Sequence, residues 1–327
     1  MWSLKYEDFK IYYITAASLL AFVVLRIFIR GKSYKKSTRC DGKVVVITGG
    51  NSGIGKETAI ELAARGAKVY IACRSMERGE EACKEIIQKS GSSNVFVRIL
   101  DLASFTSIRE FAKSFQKEEK QLDILINNAG VMAIPLCRTE DGLEMQMGVN
   151  HMGHFLLTNL LLPMLKTSQP SRIVNVSSMA HRWGKIKTDD LNSEKSYSNV
   201  YCYANSKLAN ILFTRELARR LKDTKVTANA LHPGVINTEL SRHTGEISFF
   251  FSKYFVKPAM YIFNKTPKQG AQTTIYAALD PDLENVSGQY FSECGFEKVY
   301  EQGLDDDMAK WLWNISEKWT KLSSKSE

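Results

Sequence analysis

The residue types and spacings that could do chemistry lie in two stretches. The first is Thr48-Gly49-Gly50-Asn51-Ser52-Gly53-Ile54-Gly55-Lys56, which closes a β-branched run and leads directly into a helical pattern. Glycines let a backbone turn tightly and approach a pyrophosphate, which then sits on the amides at the helix amino terminus. Gly49, Asn51, Ser52, Gly53, Ile54 and Gly55 are therefore candidate nucleotide ligands. The second is Tyr203-x-x-x-Lys207, whose phenol and ammonium share a face of one helix. Among 13 tyrosines such a pair arises easily by chance. Its position after a strand and at a helix start gives it weight. The six cysteines show no Cys-x-x-Cys and no histidine at zinc spacing, so neither a disulfide framework nor a metal site is indicated. His151, His154, His181, His232 and His243 are read as packing or hydrogen-bonding residues, and no metal is assigned.

Both stretches need a scaffold. Residues 44–48, 68–72, 95–100, 123–127, 172–177 and 226–231 read as six buried strands. Amphipathic segments at 57–65, 77–88, 105–118, 144–165 and 204–221 alternate with them. This order predicts an α/β fold, a doubly wound parallel sheet with helices on both faces. With 44% hydrophobic and 24% charged residues, the 327-residue chain has material for a sizeable core, which argues against disorder.

The net charge of +9 is concentrated at the amino terminus, where residues 1–40 carry eight basic and two acidic side chains. The remaining 287 residues hold only +3, so a nucleic-acid partner is not expected. After a tail at 1–10, residues 11–29 form an apolar run with one charge, Arg26, long enough to span a bilayer. Arg30, Lys32, Lys35, Lys36 and Arg39 follow in a basic linker at 30–40, which places the catalytic side in the cytosol. A cleaved signal peptide is the rival reading, opposed by the length of the run and the lack of a small-x-small site. The sequons at Asn175, Asn264, Asn285 and Asn314 would matter only in a lumen.

Residues 41 to about 240 resemble the short-chain dehydrogenase/reductase superfamily. The resemblance rests on the spacing of Gly49, Gly53 and Gly55, on Asn127-Asn128-Ala129-Gly130, Ser178, Tyr203-x-x-x-Lys207 and Pro233-Gly234. Asn150-His151-Met152-Gly153-His154-Phe155, Arg172 to Ser178 and Tyr203 to Phe213 are similar to one branch, the membrane-anchored retinol dehydrogenases that act mainly as retinal reductases. The resemblance implies a single catalytic domain at 41–327 and a tetrad: Tyr203 as proton donor, Lys207 as the cation stabilising its phenolate, Ser178 on the substrate carbonyl and Asn150 positioning a water. Ser178 is preferred over Ser177 by register. Asp101 and Leu102 would flank adenine, with Asn128, Ala129 and Gly130 on the other side of the cofactor. Pro233, Gly234 and Thr238 would complete its site.

The second strand ends Ala72-Cys73-Arg74-Ser75, with no acidic residue for a ribose hydroxyl and with Arg74 placed for a 2′-phosphate, so NADP(H) is the expected cofactor. Between 236 and 268, where the superfamily builds its substrate loop, many aromatics suit a lipophilic substrate or contact with lipid, and a plain core helix is the alternative. Trp311, Trp313 and Trp319 are read as ordinary packing in preference to headgroup contact. The expected partners are a lipophilic aldehyde or alcohol and, through 11–29, the endoplasmic-reticulum bilayer. A homodimer is compatible with the sequence. A ketosteroid or lipid-ketone reductase and a non-catalytic nucleotide-binding scaffold are the competing functions.

Overall fold

A computed structural model describes residues 2–236 and 264–322. Thr238, His243 and most of the aromatic 236–268 segment lie outside the described residues. The elements before the site are helix α1 (Trp2–Arg30), β1 (Val44–Thr48), α2 (Gly53–Ala64), β2 (Lys68–Cys73), α3 (Met76–Ser90), β3 (Val95–Ile99), α4 (Phe105–Glu118) and β4 (Ile124–Asn127). There follow α5 (Met145–Met147), a π turn (Gly148–Gly153), α6 (His154–Thr167), β5 (Ser171–Val176), α7 (Asn199–Arg220) and β6 (Val226–Leu231). The chain closes with α8 (Pro267–Leu279), β7 (Tyr290–Ser292), β8 (Gly295–Phe296) and α9 (Asp306–Thr320).

The strands form one sheet in the order β3-β2-β1-β4-β5-β6-β7-β8, parallel except for β8. Strands β1, β4 and β6 are buried along their whole length, as expected where helices cover both faces. One core lies under α4, α6 and α7 and includes Phe115, Phe155, Leu157 and Phe213. The other lies under α2, α3 and α8 and includes Ile47, Leu62, Ile71 and Phe291. The strand order reverses between β1 and β4, and in open α/β sheets the crevice at the carboxyl ends of strands flanking such a point is where ligands bind.

The six expected strands are all present. The helix expected at 144–165 is split by the π turn into α5 and α6, which periodicity does not reveal, and α8 and α9 extend the fold beyond the helices expected. Pro267 opens α8 behind a capping box between Thr266 and Gln269. Helix α9 covers α7: Trp313 is 4% exposed and packs against Phe155 and Phe213, while Trp311 and Trp319 border the cluster of Leu208, Leu212 and Leu312. These tryptophans are packing residues. Helix α1 contains one stretch, Phe9–Ile27, long and apolar enough to cross a membrane. It begins at Trp2, so residues 2–10 are helical as well.

Candidate active site

Four of the parallel strands deliver their next residues to the crevice. Gly49 follows β1, Asn128 follows β4, Ser177 and Ser178 follow β5, and His232-Pro233-Gly234 follows β6. At the first of these, Gly49 and Gly53 have φ of +65° and +55°, a region that favours glycine. A side chain at Gly49 would meet Ala129 Cα at 3.0 Å, and one at Gly55 would collide with the Gly49 carbonyl and the Asn128 amide. The turn is thus packed as closely as backbone permits. Ser52 caps α2 without a side-chain hydrogen bond, which leaves the first-turn amides of α2 pointing into the crevice for an anion. A dinucleotide pyrophosphate fits this cradle.

Thr48 holds the cradle to the neighbouring strand. Its hydroxyl accepts hydrogen bonds from Asn128 N at 2.9 Å and Ala129 N at 3.0 Å, and meets His154 Nε2 at 2.8 Å. Asn128 Nδ2 donates to the Thr48 carbonyl at 2.8 Å. Gly130 continues the floor, where an added Cβ would lie 3.1 Å from Asn150 Oδ1 and 3.5 Å from Lys207 Nζ. After β3, Asp101 is half-buried and its carboxylate accepts from Ala103 N, while Leu102 is buried. Arg74 is exposed at the end of β2 and makes no hydrogen bond or ion pair with the described residues.

Asn150 lies in the π turn and is wholly buried. Its Nδ2 donates to the Val131 carbonyl and to Ser206 Oγ, both at 2.9 Å, and its Oδ1 accepts from Val131 N at 2.8 Å. The side chain is therefore fully used in bracing the loop after β4 against α7. Its carbonyl is met by His154 Nδ1 at 3.0 Å. His154 thus bridges the π turn and Thr48, a positioning role that the sequence alone did not reveal because no spacing distinguishes it from a packing histidine. Burial pushes its pKa down to about 4, so the ring is neutral.

Ser178 and Tyr203 come together. Burial pushes the Tyr203 phenol up to about 12, and the neighbouring Ser178 hydroxyl, which accepts from Ala180 N at 3.2 Å, favours the phenolate without offsetting that. Ser177 is turned away, donating from Oγ to the Lys207 carbonyl at 2.7 Å. Lys207 is 3% exposed, with its ammonium 5.6 Å from the centre of the Tyr203 ring and donating to the Val176 carbonyl at 3.0 Å. Burial pulls it down to about 8. The lysine does not bring the phenol below its ordinary value here: burial pushes both groups toward their neutral forms. The arrangement presents a protonated phenol and a serine hydroxyl to one point, with a buried amine below, which suits protonation of a carbonyl oxygen as it gains charge.

His151 and His232 take structural places. His151 packs between Phe155 and Phe213 and meets Ser316 Oγ at 2.9 Å. His232 bridges Gly234 N and Ser292 Oγ, and so shapes the Pro233-Gly234 turn. Among the described residues no three of His, Cys, Asp and Glu converge as a metal site would require.

Known proteins resemble this chain along most of its length. Residues 43–247 match the short chain dehydrogenase family model. Mouse retinol dehydrogenase 11 is 53% identical over 84% of this chain and 85% of its own length. Human retinol dehydrogenase 12 is 53% identical over 89% and 90%. In a solved structure, an uncharacterized protein from Mycobacterium Paratuberculosis shares 38% identity and superposes with a TM-score of 0.72, over 89% of this chain and 98% of its own.

Proposed function

The chain belongs to the short-chain dehydrogenase/reductase family, and from that premise we propose that it interconverts retinal and retinol, or a similar lipophilic aldehyde and alcohol, with NADP(H) at a membrane. Members of this family use NAD or NADP. The proposal is carried by one observation: Ser178, Tyr203, Lys207 and Asn150 meet at the carboxyl edge of the sheet, beside a glycine cradle, in a chain about half identical to retinol dehydrogenases along most of its length. When bound, the nicotinamide supplies the hydride.

The protein's own groups do the rest. Ser178 would hydrogen-bond the substrate oxygen and strengthen that bond as negative charge grows. Tyr203, held protonated by burial, would give its phenolic proton to the same oxygen. Lys207 in its charged form would stabilise the phenolate left behind. Asn150 acts through structure, because its side-chain bonds brace the loop over which the nicotinamide would lie. A phenol that keeps its proton at neutral pH suits reduction of the carbonyl.

Arg74 supports the choice of NADP(H), as an exposed guanidinium at the end of the strand whose tip meets the adenosine ribose in this fold. Gly49, Asn51, Ser52, Gly53, Ile54 and Gly55 would hold the pyrophosphate, with Asp101, Leu102, Asn128, Ala129, Gly130, Pro233 and Gly234 lining the remainder. Helix α1 would anchor the protein in the endoplasmic-reticulum membrane with the catalytic domain in the cytosol.

Membrane-bound protein should oxidise NADPH in the presence of all-trans-retinal, much faster than it oxidises NADH, and Tyr203→Phe should lose about 10²- to 10⁴-fold in kcat. Turnover of a ketosteroid with none of retinal would reject the retinoid reading while keeping the chemistry.

A further inference from the structure

We propose that residues 31–40 form a strap bound along the catalytic domain, which turns the carboxyl edge of the sheet, and with it the active site, toward the bilayer. The inference rests on the membrane reading of α1. The sequence suggests a polar tether here, yet the segment makes specific contacts along the height of the domain.

The strap starts at the carboxyl edge. Within the apolar span of α1, Arg26 Nη1 donates to the Asn264 carbonyl at 3.4 Å, and Lys265 pairs in a bridge with Ile236, just past the end of β6. Gly31 has φ +67°, and any side chain there would strike the Glu293 carboxylate and the Lys265 ammonium, which are themselves paired. Glu293 Oε2 also accepts the Lys32 amide at 3.0 Å. Further along, Tyr34 N donates to Gln272 Oε1 at 3.0 Å, and the Tyr34 ring meets Tyr276 edge-on at 6.2 Å. Lys36 then bridges Asp280 and Asp282 at 2.7 and 2.6 Å. Arg65 binds the carbonyls of Lys36 and Thr38, and Cys40 N donates to the Arg65 carbonyl.

Asp280 marks the opposite edge, since its carbonyl receives Arg172 Nη2 from the start of β5. The strap therefore runs beside α8 from the carboxyl to the amino edge, and its upper end must be the end at the membrane. The turn that receives it is unusual. Glu293 and Cys294, the two residues between β7 and β8, have φ of 50° and 52°, values that a two-residue hairpin requires and that normally select Asn and Gly. Retaining Glu and Cys there is unfavourable for the turn itself. The carboxylate that clasps both Lys32 N and Lys265 supplies the compensation. Lys265 in turn packs its chain on Gly234, so the clasp continues to the expected cofactor turn.

The test uses the full-length protein in native membranes. Zero-length carbodiimide coupling should yield a peptide joining Lys36 to Asp280 or Asp282, together with the Lys56–Glu85 link as an internal control, that pair lying 2.5 Å apart. In a Cys137→Ser background, a fluorophore on Asn264→Cys should lose intensity when headgroup-nitroxide lipid is added, whereas one on Lys222→Cys, in the turn after α7 at the amino edge, should not. Recovery of the control link without the Lys36 link would overturn the strap. Equal quenching at both sites would overturn the orientation. Release of the protein by alkaline carbonate would reject the membrane reading itself, independently of either result.

Discussion

Burial acts in opposite senses on the two titratable groups of the site, holding a proton on Tyr203 up to about pH 12 and letting Lys207 lose one at about pH 8. A carbonyl reductase with these groups needs Tyr203 protonated before the step and Lys207 charged during it. Below about pH 8 both conditions hold, so kcat/KM for reduction should be flat there. Above that pH it should fall up to tenfold per unit as the lysine charge is lost. Lys207→Met should give a low rate with that fall absent, and an unchanged profile in this variant would remove Lys207 from the step. The histidines affect stability. His151, His154 and His232 are pushed down to about 3, 4 and 4 by burial, whereas an unfolded histidine titrates near 6.5. Between those values the unfolded chain binds more protons, so stability should fall as pH drops below about 6.5. His154→Leu should remove part of that acid sensitivity, yet lower the melting temperature at pH 7.5, because the Asn150 carbonyl and Thr48 hydroxyl lose a partner, at about 1–3 kcal/mol. A melting temperature at or above that of the parent would show that the bridge is dispensable.

At the scale of elements, the glycine turn and the end of β2 make separable demands on one cofactor. Gly55→Ala would place a methyl group against the Gly49 carbonyl and should weaken NADPH and NADH binding alike. Arg74→Ala should weaken NADPH by about tenfold or more and leave NADH nearly unchanged, as expected when one charge-assisted contact of about 1.5–3 kcal/mol is lost. Fluorescence titration of each variant with both nucleotides measures this, and equal losses in Arg74→Ala would take Arg74 out of the phosphate site. These elements are legible because buried parallel strands leave continuous apolar runs: all six expected strands lie within one residue of the observed bounds at both ends, and β1 and β6 coincide. Strands β7 and β8, with three and two residues, are too short to carry a pattern. Helix α8 is rich in Ala and Thr, and its first residues fall inside the aromatic stretch at 236–268. The π turn depends on buried bonds of Asn150 to residues 19 and 56 positions away, which no local window contains. The same is true of the strap, whose basic residues read as solvated until Asp280, Asp282 and Glu293 are brought beside them.

For the whole molecule, the fold sharpens the test of which side of the membrane holds the domain. Asn175 lies in the middle of the sheet at 2% exposure, hydrogen-bonded to Asn127 and Thr214, so its sequon is closed to a transferase once the chain folds. Asn285 and Asn314 are exposed, one after the turn that follows α8 and the other on the outer face of α9. A domain translocated into a lumen would offer both, in addition to any modification during synthesis, and each glycan would slow migration in a gel. The charge distribution argues for the opposite side. Arg30, Lys32, Lys35, Lys36 and Arg39 follow the span directly, whereas Lys5 and Lys10 before it are offset by Glu7 and Asp8. Endoglycosidase treatment of protein expressed in animal cells should therefore leave its mobility unchanged. As a positive control, the same catalytic domain fused behind a cleavable secretion signal should shift on treatment. A shift in the native protein would place the domain in the lumen and remove the cytosolic NADPH pool as its source of reducing equivalents. An absence of shift together with a shifting control would leave α1 as a cytosol-facing anchor, the topology in which positively charged flanking residues favour retention on the side where they were made.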